Sequence, residues 1–168
     1  NAGNPLSGVV VELTEHEHVT QHHILQQALS PLRQMGAALA LDDFGDGRSS
    51  LRIWSELHPE YVKIDKYFTQ NVDKSSQKLQ TLRALQQLAE IFGAQLIAEG
   101  VEHSEELQVL RDLGMDYAQG YFLGRPQAQP TDHLPEAVSS VLLNRHIAVL
   151  PQQRHASNRG RTAHSLLK

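Results

Sequence analysis

Residues 37–45 read Ala-Ala-Leu-Ala-Leu-Asp-Asp-Phe-Gly, an apolar run that ends in two adjacent carboxylates and a glycine. Because the run follows Gly36 and precedes a polar, glycine-rich loop over 44–49, it predicts a buried strand over Ala37–Leu41. The same pattern, a short apolar run with polar residues after it, recurs along the chain. It predicts five strands: Val9–Val11, Ala37–Leu41, Tyr61–Ile64, Gln95–Ala98 and Tyr117–Phe122.

The segments between these strands have helical patterns. Val19–Leu29 is amphipathic, and Pro31 predicts a break or the first turn of a second short helix. Apolar residues at helical spacing between Leu79 and Phe92 mark the strongest helix, and Ser104 is the expected N-cap of the next one. Two further helices are predicted over 50–57 and 134–143.

Strands that alternate with helices predict a parallel sheet with helical crossovers, so the fold class is α/β. Two architectures satisfy this pattern, a doubly wound sheet and a (β/α)8 barrel. A barrel takes about 250 residues, and these 168 residues supply five βα units, so a barrel would be truncated. We expect the start of the domain to lie upstream of residue 1, because three exposed edge valines would promote aggregation. The predicted domain spans 1–130, followed over 131–168 by a terminal helix and a basic linker.

Composition excludes several classes of function. The chain has no cysteine, which rules out disulfide scaffolds, thiolate nucleophiles and Cys-ligated zinc. Five of the fifteen basic residues follow the last acidic residue, Glu136, so the first 144 residues carry ten basic residues against nineteen acidic ones. This acidic body argues against binding DNA by charge. No apolar run reaches the ~18 residues that span a bilayer, and we expect a cytoplasmic protein without a membrane span in this segment.

Acidic residues follow or end four of the predicted strands. Parallel strands bring their carboxyl ends to one rim, where the sites of α/β folds are built. So many carboxylates need cations, and all-oxygen ligands favour Mg²⁺, Mn²⁺ or Ca²⁺. The adjacent pair Asp42 and Asp43 allows one carboxylate to bridge two metal ions ~3.5–4 Å apart, with Lys63 near the metal-bound water or the leaving phosphate. The residues expected at this rim are Glu12, Glu15, Asp42, Asp43, Lys63, Asp65, Glu99, Glu102 and Gln119.

Together these residues resemble the EAL domain, a family of (β/α)8 barrels that hydrolyses cyclic di-GMP in bacterial second-messenger signalling. The resemblance covers residues 9 to about 130, and the string at 124–126 resembles the one that closes the domain. Five motifs occur in the family's order: Glu12-Leu13-Thr14-Glu15, Asp42-Asp43-Phe44-Gly45 with Ser49-Ser50-Leu51, Lys63-Ile64-Asp65, Ala98-Glu99-Gly100-Val101-Glu102 and Gln119-Gly120-Tyr121.

The resemblance implies a role for each residue. Glu12 and Asp42 would bind the first of two Mg²⁺ or Mn²⁺ ions, and Asp42 would bridge to the second. Asp43 and Glu99 would complete the second site, with Ca²⁺ inhibitory. Lys63 would hold the attacking water, so that Lys63 and Glu99 are the catalytic residues. Gln119 and Asp65 would contact the substrate. Glu15 would stabilise the glycine-rich loop, and Glu102 would contact the metal-ligating residues and not the metal ions. The reaction would be attack by metal-activated hydroxide, giving linear pGpG.

Two motifs of the family are missing. The Glu-Ala-Leu strand and a metal-binding Asn would both lie upstream of residue 1, so we expect the 168-residue chain to hydrolyse nothing measurable by itself. Asp46 and Arg48 replace the Thr and Tyr usual in the loop, which removes no ligand. The resemblance implies a homodimer and further domains, and 145–168 resembles the start of a CBS-like region.

Other functions remain open. One is a non-catalytic cyclic di-GMP receptor or protein-interaction module, although such a receptor need not keep the metal ligands. Another is a different metal-dependent barrel enzyme, in which Lys63 abstracts a proton from an acid substrate.

Overall fold

A computed structural model of the chain describes residues 4–14, 22–45, 51–129 and 131–143. Its centre is a five-stranded parallel sheet whose strands lie in chain order. The strands are β1 (Val10–Thr14), β2 (Ala38–Phe44), β3 (Tyr61–Ile64), β4 (Gln95–Ala98) and β5 (Tyr117–Ala118). The helices are α1 (His22–Gln34), α2 (Leu51–Leu57), α3 (Lys66–Thr69), α4 (Ser76–Phe92), α5 (Ser104–Leu113) and α6 (Glu136–Leu143), with a 3₁₀ turn at Val72–Lys74.

The strand order decides between the two architectures left open by the sequence. In a doubly wound sheet the strand order reverses at a switch point, whereas here each strand pairs with the next along the chain from β1 to β5. This is the order of a barrel wall, and the described part of the chain forms five of its βα units. The α/β class and the truncated (β/α)8 architecture are therefore confirmed.

The two faces of the sheet differ in chemistry. Side chains alternate along each strand, and the aligned residues Leu41, Val62 and Leu96 lie on the face that packs against the helices. Trp54 and Leu57 of α2 are buried in this core. We call the opposite face the lumen face; its side chains include Glu12, Ala40, Asp42, Tyr61, Lys63, Gln95, Ile97 and Tyr117. The predicted polar rim is the carboxyl end of this lumen face.

A carboxylate near the amino end of the sheet ties β2 to the chain entering β3. Glu60 accepts the backbone N–H of Leu39 at 2.7 Å and pairs with Arg33 of α1 at 3.1 Å. Burial alone would raise the pKa of Glu60, but the hydrogen bonds from Leu39 and Arg33 hold that pKa below its ordinary value. The ionised carboxylate therefore stabilises this end of the fold.

Some boundaries differ from the sequence prediction. Helix α1 continues through Pro31 to Gln34 instead of breaking, because Leu29 and Leu32 on either side of the proline pack into the core. Strand β5 ends at Ala118 and not at Phe122, since the chain turns at Gly120. The N-cap of α5 is His103 and not Ser104, because the side chain of Glu106 accepts the His103 backbone N–H in a capping box.

Helix α6 begins at Glu136 rather than Leu134 and packs on α5, where its Val138 is fully buried. The predicted basic linker and CBS-like segment lie outside the described residues. None of the helices in the described ranges has the length and apolar character needed to cross a membrane.

Candidate metal centre

A backbone irregularity at the end of β2 turns two consecutive carboxylates toward one place. Consecutive strand residues normally point to opposite faces, but the register of β2 with β3 shifts between Leu41 and Phe44. Within this bulge Asp43 has a positive φ of 53°, a left-handed conformation that Asp tolerates better than most residues. Strain of this kind is held by the surrounding fold and is characteristic of functional sites.

Glu99 joins the two aspartates from the other side of β3. It follows β4 directly, and its backbone N–H donates to the carbonyl of Ile64 at 3.1 Å. Asp42, Asp43 and Glu99 each offer a carboxylate oxygen, and these three oxygens all lie within 4.8 Å of one another. This is a cluster of three half-buried acids with the oxygen donors that hard divalent cations bind.

Lys63 lies between the acids. Its Nζ is 2.6 Å from Asp42, 3.0 Å from Glu99 and 3.2 Å from Glu12, and its side chain is only 9% exposed. Burial alone would lower the pKa of Lys63, but hydrogen bonds to Asp42 and Glu99 and the charges of these two acids hold it above its ordinary range. The ammonium group therefore stays protonated and provides a positive charge among the acids.

The charges around Lys63 also shift the pKa of Glu99. Burial raises the pKa of this carboxyl, and the charges of Asp42 and Asp43 act in the same direction against the opposing effect of Lys63. Gln119, just after β5, donates from Nε2 to Oε1 of Glu99 at 2.8 Å. Lys63, Glu99 and Gln119, which the sequence places at one rim, therefore lie next to one another in the structure; their roles in binding and catalysis stay predictions.

Other predicted residues lie further out. Glu12 reaches the cluster through Lys63, and half of its side chain is exposed. Asp65 caps α3 by accepting the backbone N–H of Tyr67 at 2.8 Å, and its contact with a substrate stays a prediction. Glu102 accepts a hydrogen bond from Gln70 at 3.2 Å. Glu15 and most of the glycine-rich loop, including Asp46 and Arg48, lie outside the described residues.

A cavity of about 900 Å³ opens beside the cluster. Gln119 and Glu102 line it, together with Lys66 and with Arg125, whose guanidinium lies 4.4 Å from the ring centroid of Tyr121. The cavity is large enough for a ligand of nucleotide size. Lys66 and Arg125 also give the wall of the cavity two positive charges.

Sequence reasoning missed two buried polar residues behind the rim. Glu106 is 1% exposed and accepts the backbone N–H groups of Asn71, Glu102 and His103. Its position at the third residue of α5 is the capping-box signal that could have identified it. Thr69 is fully buried and its hydroxyl donates to the backbone carbonyl of Glu99. Nothing in the sequence pattern marks Thr69.

Comparison with known proteins places this geometry in a family. The EAL domain family model matches residues 1–126. The chain is 37% identical to the cyclic di-GMP phosphodiesterase PdeB of Shewanella oneidensis over 73% of its own length and 14% of that protein. It is 36% identical to the probable cyclic di-GMP phosphodiesterase PdeG of Escherichia coli over 70% of its length and 23% of that protein. The chain thus spans less than a quarter of either relative.

Solved structures agree with these matches. The EAL domain of Mycobacterium smegmatis DcpA superimposes with a TM-score of 0.67 and 36% identity, over 70% of this chain and 53% of that one. Klebsiella pneumoniae BlrP1, in a complex with manganese and cyclic di-GMP, superimposes with a TM-score of 0.65 and 33% identity, over 70% of this chain and 30% of that one. BlrP1 is also similar in a complex with calcium and cyclic di-GMP. By sequence, by strand order and by the rim on which its carboxylates meet, this chain belongs to the EAL domain family.

Proposed function

We propose that this EAL domain is a metal-dependent phosphodiesterase that opens cyclic di-GMP to linear pGpG. The observation that carries the proposal is the cluster of Asp42, Asp43 and Glu99 with Lys63 in contact with two of its members. The names of the relatives support the choice of substrate, because PdeB is a cyclic di-GMP phosphodiesterase and BlrP1 is bound to the dinucleotide.

The donor set fits divalent cations. Three carboxylate oxygens lie within 4.8 Å of one another, and the ammonium of Lys63 contacts two of the acids that carry them. Oxygen-only ligands suit Mg²⁺ or Mn²⁺ better than zinc. Glu12 and Asp42 would hold one ion, and Asp43 and Glu99 would hold a second together with Asp42. Such ions, when bound, supply Lewis acidity to the phosphodiester and to the water that attacks it. By analogy with the family, Ca²⁺ occupies the site without supporting turnover.

The residues around the cluster would orient the reactants. Protonated Lys63 donates hydrogen bonds at the point where the acids converge, so it holds the attacking water or the phosphate oxygens in place. Gln119 keeps Glu99 directed into the cluster through its 2.8 Å hydrogen bond. We place the bulk of the dinucleotide in the neighbouring cavity, within reach of Asp65. Glu102, on the cavity wall, supports the loop that carries Glu99.

We further propose that the 168-residue chain alone binds metal and ligand without measurable turnover. Glu12, one of the two assigned ligands of the first ion, is half exposed, and the chain covers 53% of the DcpA EAL domain. An incompletely surrounded ion lacks the fixed geometry that in-line displacement needs. We also propose that the protein is a cytoplasmic homodimer. Its molecular mass in solution tests the dimer.

Calorimetry tests the ligand and the metal together. Cyclic di-GMP is titrated into the chain with Mn²⁺ and then with a chelator, and the titrations are repeated with Asp42→Asn and with the control Glu90→Gln, which removes an exposed carboxylate on α4. We expect binding only with Mn²⁺, lost in Asp42→Asn and kept in the control. Equal binding without metal would favour a non-catalytic receptor. Release of pGpG by the chain alone would contradict the expected inactivity and leave the phosphodiesterase assignment standing.

A further inference from the structure

The short helix α3 contacts both loops that carry the cluster. Phe68 lies against Gly45, just after Asp42 and Asp43; a Cβ placed on Gly45 would be 2.3 Å from the Phe68 ring. On the other side Lys66 lies against Gly100, just after Glu99, where a Cβ would be 2.4 Å from the Lys66 Cβ. Both glycines have positive φ values, 107° and 66°. The close approach on each side of α3 therefore depends on glycine.

Thr69, at the end of α3, adds a polar contact to one of these loops. Its side chain is fully buried, and its hydroxyl donates to the backbone carbonyl of Glu99. A hydroxyl has one proton to donate, and the carbonyl of Lys66, 3.2 Å away, is its other neighbour. Since Glu99 also donates its N–H to Ile64, both backbone polar groups of Glu99 bond to the β3–α3 segment.

We propose that α3 acts as a clamp that sets the distance between the two aspartates and Glu99, and that Thr69 is the positioning residue for Glu99. This inference rests on the proposed metal site. Lys63 lies two residues before Asp65, the cap of α3. One continuous segment therefore carries the ammonium group, the Phe68 contact with the loop after β2 and the Thr69 hydrogen bond to the loop after β4. Polar groups that hold a ligand in orientation typically contribute about 10–100-fold to metal affinity.

Loss of the Thr69 hydroxyl would leave the Glu99 carbonyl buried without that donor. Valine has nearly the shape of threonine, so Thr69→Val removes the hydrogen bond while filling the space. Thr69→Ser keeps a hydroxyl. Thr81 is a matched control, because its hydroxyl donates at 3.0 Å to the carbonyl of Gln77 on α4, away from the site.

Mn²⁺ affinity, measured by calorimetry on the full chain without substrate, tests the inference. We expect Thr69→Val to weaken Mn²⁺ binding about tenfold, with Thr69→Ser and Thr81→Val within about twofold of the parent. Urea unfolding of each variant shows that it is folded. A folded Thr69→Val with a lower urea midpoint and parental Mn²⁺ affinity would mean a purely structural role and would overturn the inference.

A second variant covers the case in which Thr69→Val does not fold. Phe68→Leu loosens the contact with Gly45 from the other end of the clamp, and we expect a several-fold loss of Mn²⁺ affinity; unchanged affinity would contradict the clamp. The proposed function fails separately. If the parent binds Mn²⁺ and the variants change its Mn²⁺ affinity as expected, but the parent never binds cyclic di-GMP, the clamp is supported and the phosphodiesterase assignment is wrong. If the parent binds no Mn²⁺, both are wrong.

Discussion

Replacement of Lys63 by methionine removes the ammonium group at the centre of the site and keeps a side chain of similar length. In the described part of the chain, Lys63 is the cation paired with both Asp42 and Glu99, at 2.6 and 3.0 Å. In the absence of metal, the variant leaves these acids close together without that positive charge. We expect a large loss of stability that depends on pH and on divalent cations.

The size of the loss follows from the geometry. At an effective dielectric constant of about 20, two unit charges 3.0 Å apart attract by about 5.5 kcal/mol. Desolvation of the same charges opposes much of this attraction, and removal of one partner from a buried pair typically costs about 3–5 kcal/mol. The side chains of Asp42 and Glu99 are 15% and 13% exposed, so we expect the lower end, about 3 kcal/mol at neutral pH.

Urea unfolding followed by the fluorescence of Trp54, the single and fully buried tryptophan, measures this loss. Lys63 opposes the rise in the pKa of Glu99, so its removal raises that pKa further above the ordinary value. The penalty is therefore present at neutral pH and disappears on acidification, as Glu99 is protonated. Mn²⁺ at about one hundred times its Kd contributes about 2.7 kcal/mol to the stability of a chain that binds it, which should bring the variant nearly to the stability of the metal-free parent.

Lys74→Met is the control, because Lys74 is 72% exposed and makes one surface pair, at 3.9 Å. It should cost less than about 1 kcal/mol. The reasoning fails if Lys63→Met also costs less than about 1 kcal/mol at neutral pH. It fails equally if the cost is the same in acid, or if Mn²⁺ does not stabilise the variant.

Three further predictions concern the scaffold, and each is measured by urea unfolding. Glu60→Gln should lower the free energy of unfolding by about 1 kcal/mol at neutral pH, since this carboxylate is half exposed. Because the pKa of Glu60 is lowered in the folded state, the difference between parent and variant should vanish as the pH falls through that pKa. A difference that stays constant with pH would contradict this. Gly120→Ala places a Cβ 2.2 Å from the backbone of Val101 and should cost more than about 3 kcal/mol, so parental stability would show that the turn is misplaced. Leu82→Ala empties a fully buried site in α4 and should cost about 2–5 kcal/mol; a loss below about 1 kcal/mol would mean that α4 does not pack there.

The α/β fold and the rim were predictable because both follow from the alternation of short apolar runs with amphipathic helical segments along the chain. Each short apolar run bounded by glycine and followed by acids forms a strand, and parallel strands bring Asp42 and Glu99 to the same end of the sheet. Helix ends marked by glycine were also predictable; Gly93 and Gly114 follow α4 and α5 with positive φ.

What the sequence could not provide depends on contacts between distant segments. Pro31 is a local helix breaker, yet α1 continues past it because residues on both sides of the proline pack into the core. The direction of Asp43 depends on a bulge that no local pattern announces. Thr69 acquires its role only because the loop after β4 folds back onto α3, thirty residues away along the chain.

Anomalous diffraction from Mn²⁺ in crystals of the chain with cyclic di-GMP would test the central claim most directly. We predict a manganese peak within coordination distance of carboxylate oxygens from Asp42, Asp43 and Glu99, with a phosphate of the dinucleotide beside it and the guanosine portion in the cavity next to Gln119. A manganese peak elsewhere, or cyclic di-GMP bound with no metal at these three acids, would contradict it.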